Sequence, residues 1–117
     1  MSNPETPNAD ERDDLFHEAN GLFAIGQYEE AVALYRKCVE MDDDFFDGWH
    51  ALGMALMKMG EIKEAIGCGL KATTLQPNDL LAWTALSQMY VKDEQIAEAE
   101  AAKSNAVILS LGGKVQK

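Results

Sequence analysis

At 117 residues, 47% of them hydrophobic, the chain has the length and apolar content of one packed domain. Its formal charge of −10 would repel a phosphate backbone, and no basic stripe interrupts the acidity, so nucleic acid is not an expected partner. No apolar run approaches the roughly 18 residues of a membrane span, and the first residues lack the basic and apolar regions of an export signal. The chain opens with MSNPETPNADE, rich in Pro, Asn, Thr and acids, and residues 1–11 are expected as a flexible acidic lead-in that cannot bury enough surface to order itself.

From residue 12 onward the sequence is self-similar at an offset of 34 residues. Leu15, Trp49 and Trp83 fall in register, as do Leu22, Leu56 and Tyr90; Ala31, Ala65 and Ala99; and Cys38, Ala72 and Ala106. The frames are 12–45, 46–79 and 80–113, with a tail at 114–117. Within each frame apolar residues recur three and four apart on both sides of a central turn, which is the helical period. In the middle frame the spacing predicts one helix from about Phe46 to Met59, a break at Gly60, and a second helix from about Ile62 to Leu75. Pro77 stops that second helix, Asn78 or Asp79 caps the next, and Asp42 to Asp44 are expected to do the same between the first two frames.

The three alanines fall where a second helix would press on the first and only a small side chain permits close approach. One helix pair cannot bury its apolar face alone, so the pattern requires stacked pairs. In the last frame Glu100 stands where Val32 and Ile66 stand earlier, and Lys103 where Tyr35 stands. Apolar character is dropped where no further pair exists, although Val107, Ile108 and Leu111 would leave a modest apolar patch. The Met start and this polar last helix suit a whole chain better than an excised piece of a longer array. Gly69, in the register of Tyr35, is expected to save space for Trp83.

Trp49, Leu52, Gly53 and Leu56, followed by Gly60, Ala65, Ala72 and Pro77, resemble the tetratricopeptide (TPR) repeat. The first frame departs with Leu15 for the tryptophan, and the third with Ser87, Glu94 and Lys103 at positions usually held by Gly, Gly and an aromatic. The resemblance implies an all-α fold of three tandem helix-turn-helix units, six helices stacked as a short right-handed superhelical solenoid. It implies a non-enzymatic adaptor that binds a protein or peptide partner in a concave groove lined by the first helix of each unit.

Carried onto this sequence, the groove positions are Asp13, Phe16, His17, Asn20 and Phe23; then Asp47, His50, Met54, Met57 and Lys58; then Leu81, Thr84, Gln88, Val91 and Lys92. Asp47, His50, Met54 and Met57 also lie three, seven and ten residues along one helical stripe, apart from the stripe of Trp49, Leu52 and Leu56 that repeats as core. Met54 and Met57 are therefore expected to present flexible thioethers to a partner, whereas Met41, Met59 and Met89 are expected as packing. The bland alternative is a pair of merely exposed methionines. The subclass that clamps the acidic tails of heat-shock chaperones needs Lys, Asn and Arg at set groove positions. Only Asn20 matches; Phe16, Leu81, Ala51 and Ala85 occupy the others.

No nucleophile elbow, phosphate-cradling loop or Cys/His pair suggests catalysis. Asp13 with His17, and Asp47 with His50, could be read as metal ligands, but an Asp one turn from a His more often forms a solvated pair, and no metal or other cofactor is expected. Cys38 and Cys68 match no metal spacing and are expected as free thiols of a reducing, cytoplasmic chain. The rival to peptide capture is self-assembly through the solenoid ends, giving a monomer or a weak homodimer.

Overall fold

The computed structural model describes residues 9–115. Six helices follow one another: α1 (Ala9–Ala24), α2 (Tyr28–Met41), α3 (Phe46–Lys58), α4 (Ile62–Leu75), α5 (Leu80–Lys92) and α6 (Ile96–Ser110). The expected all-α architecture of three stacked helix pairs is the one observed, and no strand occurs among the described residues. Ala9, Asp10 and Glu11, assigned to the lead-in by composition, instead form the first turn of α1, while residues 1–8 lie outside the described residues. Each helix packs on its neighbours in sequence, and α3 also meets α5, which draws the units into an elongated body of 45 × 28 × 20 Å.

The turns inside the units share one solution. The N–H of Gln27 donates to the Leu22 carbonyl, that of Glu61 to Leu56, and that of Gln95 to Tyr90, each across five residues. The preceding N–H bonds also recur, Gly26 to Phe23, Gly60 to Met57 and Glu94 to Val91. These pairs satisfy carbonyls that a helix end leaves open, and the geometry needs a left-handed residue just past the helix. Gly26 and Gly60 take φ of 82°, and Glu94 adopts 60° in the same role.

The links between units differ from one another. Asp79 caps α5, its carboxylate accepting from the Ala82 N–H at 2.9 Å. Its counterpart at the start of α3 is Phe45, which offers no side-chain cap. Asp42 was expected among the capping acids, but its carboxylate accepts from the Asp44 N–H and so shapes the turn instead. Phe45 is held otherwise: its ring lies edge-on to Phe16 and under the Arg12 guanidinium, which also reaches Asp42 at 2.6 Å. Both tryptophans tie helix to link in the same way. The Trp49 indole donates to the Asp43 carbonyl and the Trp83 indole to the Pro77 carbonyl, each at 2.7 Å.

Ala31, Ala65 and Ala99 are all buried. Leu52, Leu56, Leu86 and Met89 fill the space between units. Gly69 does save space, but for residues other than Trp83: a Cβ there would stand 3.1 Å from both Leu86 Cδ1 and Met89 Sδ. A Cβ on Gly53 would stand 3.0 Å from Met89 Cε. Met89 is thus threaded between two glycines of the middle unit. At the last unit Glu100 and Lys103 are exposed where Val32, Ile66 and Tyr35 are buried. Val107, Ile108 and Leu111 remain exposed on α6.

Candidate functional site

The first helices bring part of the expected groove together. Asn20 and Phe23 on α1 meet His50, Ala51 and Met54 on α3 around a recess of about 240 Å³ whose floor includes Tyr35 of α2. Tyr35 is buried, and its hydroxyl donates to Asn20 Oδ1 at 2.6 Å. That bond fixes the amide while leaving its other polar atom to the groove. Burial pushes the Tyr35 phenol up to about 12, so it stays a neutral donor. His50 stacks on Phe46 with ring planes 9° apart. The lining is largely apolar, with one fixed amide and one imidazole.

Phe16 stands beside this recess within the aromatic cluster of Phe45 and Tyr35. Gln88, Val91 and Lys92 line a separate recess of about 410 Å³ with Ser87, Glu100 and Lys103 at the end of the array. Asp47 and Lys58 are exposed at opposite ends of α3, and Leu81 is exposed in the first turn of α5. The Thr84 hydroxyl is spent on the Leu80 carbonyl of its own helix. The proposed stripe is therefore two recesses and a scatter of rim residues rather than one continuous trough.

Two methionines lie elsewhere than their sequence suggests. Met57 is 9% exposed and belongs to the core, because α3 packs against α2, α4 and α5 and buries a wider arc than one stripe. Met59, expected as packing, is exposed at the helix end. Met89 is buried and Met54 borders both core and recess. Tyr35 escaped the sequence reading as a groove residue because it lies on a second helix, where periodicity assigns it to the interface between units.

Among the described residues no three His, Cys, Asp or Glu side chains converge as a metal site, and no helix is long and apolar enough to cross a membrane. Cys38 and Cys68 are buried free thiols. Burial raises both, Cys68 to about 11.

A family model for the TPR repeat matches residues 19–60, and one for the tetratricopeptide repeat matches residues 46–79. Together they span just over half of the sequence. The chain belongs to the tetratricopeptide repeat family. No curated protein matches this TPR chain in sequence. Among solved structures it is similar to the Sgt2 TPR domain from Aspergillus fumigatus, with TM-score 0.84 and 20% identity over 99% of this chain and 76% of that one. It is also similar to the second TPR domain of Spaghetti (RPAP3) bound to the HSP90 peptide SRMEEVD, with TM-score 0.80, 20% identity, and coverage of 84% and 91%. A chain of the CopN-Scc3 complex gives TM-score 0.84 at 17% identity, over 87% of this TPR chain and 60% of that one. At these identities the likeness is one of fold.

Proposed function

We propose that this TPR protein is a non-enzymatic adaptor that captures a partner peptide or helix in its concave groove, with an apolar side chain seated between α1 and α3. The observation that carries this reading is the recess of Asn20, Phe23, His50 and Met54 floored by Tyr35. An apolar cavity with a few fixed polar groups suits a side-chain anchor. The proteins of similar fold include two TPR domains of Spaghetti (RPAP3) bound to an HSP90 peptide, which supports peptide capture as the use of this face. The chemistry of capture here differs from a carboxylate clamp. Phe16 and Leu81 stand where a clamp needs lysine, and Ala51 and Ala85 where it needs asparagine and arginine, which leaves Asn20 alone. Two buried free thiols fit a reducing compartment, and the cytoplasm is the location we assign.

The test is affinity capture with mass spectrometry on wild type and on His50→Ala/Met54→Gln, followed by titration calorimetry with the partner found. Expected is a specific partner lost from the variant while circular dichroism stays helical. Retention of every partner by a folded variant overturns the reading. The rival, assembly through the α6 end, draws on the exposure of Val107, Ile108 and Leu111. It predicts a mass by light scattering that rises with concentration.

A further inference from the structure

The two junctions between second helices can be compared position by position, because the repeat places each residue of one over a counterpart 34 residues later. At the first junction, between α2 and α4, two long cations cover the surface. Arg36 reaches from α2 to Glu64 on α4. Lys71 lies 5.9 Å from the Trp49 ring centroid and bonds Asp43 at 3.0 Å. At the second junction, between α4 and α6, both cations are gone: Leu70 replaces Arg36, and Asn105 replaces Lys71. Of their partners, the Asp43 carboxylate is lost, Pro77 standing in its place, while two remain. Glu98 holds the position of Glu64, and Trp83 that of Trp49.

A recess of about 170 Å³ opens where the cations are missing, lined by Leu70, Trp83, Tyr90, Glu98 and Asn105 among others. Leu70 is 46% exposed at its rim. Among the described residues Glu98 has no ion-pair partner. It shares the recess with Tyr90, whose phenol is raised by burial and then by the Glu98 charge. The recess lies between α4, α5 and α6 and shares no residue with the α1–α3 groove.

We propose that this junction is a second docking site, for a partner segment that carries an arginine or lysine next to an apolar residue. The incoming cation takes the place that Arg36 and Lys71 hold one unit earlier, pairing with Glu98 and lying over the Trp83 ring, while the apolar neighbour packs on Leu70. Charge complementarity selects the occupant: in a chain of net charge −10 the site offers a carboxylate and an aromatic face, and no lysine or arginine is among the described residues that line it.

The probe is the short peptide Ac-Ala-Leu-Arg-Ala-NH2, with a twin in which citrulline replaces arginine and so keeps shape without charge. Each is titrated into the isotope-labelled full chain at constant ionic strength, following the indole N–H signals of both tryptophans by NMR. Expected is a saturable shift of the Trp83 signal with the arginine peptide, at least about threefold weaker with citrulline, in line with an exposed ion pair plus a cation–π contact. Glu98→Gln weakens the arginine peptide to the citrulline level. Leu70→Arg, which rebuilds the first junction's cover on this one, abolishes the shift and leaves the helical signal intact. The proposal is overturned if both peptides shift Trp83 equally, if Trp49 responds instead, or if Glu98→Gln binds as wild type does. It is equally overturned if dilution of the free chain alone moves the Trp83 signal, since a second copy is then the occupant.

Discussion

Glu94 is where single-residue chemistry speaks most directly. It adopts the left-handed conformation that Gly26 and Gly60 take in the equivalent turns. A side chain there costs on the order of 1 kcal/mol through the approach of Cβ to the backbone. Glu94→Gly is therefore expected to stabilise the protein by about 1 kcal/mol, read as a raised midpoint in urea, and Gly60→Ala to destabilise it by a similar amount. The turn itself was legible from the repeat, since a glycine position filled by glutamate stands out in register. Met57 was not legible. Its helical stripe matches that of Met54, yet the first is buried and the second borders a recess. Met57→Glu places a charge in the core and is expected to unfold the chain, whereas Met54→Gln keeps a helical spectrum and a cooperative melt.

At the scale of elements, capping and burial differ between units that look alike. Asp79 carries the side-chain cap of α5, so Asp79→Ala is expected to lower stability by about 1 kcal/mol in chemical denaturation. Asp44 makes no cap, and its alanine variant is expected to stay within the noise of such a measurement. On α4 the Cys68 thiol is raised by burial from 9.0 to about 11. Its folded value lies above the unfolded one, so the associated stability is complete below pH 9 and is lost as pH rises toward 11. Denaturation midpoints measured across that window should fall in wild type and fall less in Cys68→Ala. The difference would isolate the thiol from the Tyr35 phenol, which is raised by burial in the same direction.

For the molecule as a whole, the decisive feature is how the array ends. Glu100 and Lys103 put charge on the face that Val32, Ile66 and Tyr35 bury in earlier units. Glu100→Ile with Lys103→Tyr would restore the stacking surface and is expected to give a scattering mass that grows with concentration, which salt would not reverse. The sequence by itself determined the repeat, the six helices and the polar end, because each depends on local period and on residues at equal spacing. Only the tertiary structure decided which side of α3 is free, that Met89 passes between Gly53 and Gly69, and that Tyr35 floors the recess. Those outcomes depend on how many neighbours each helix touches. The central unit is enclosed from both sides, so its buried arc is wider than its periodicity reveals.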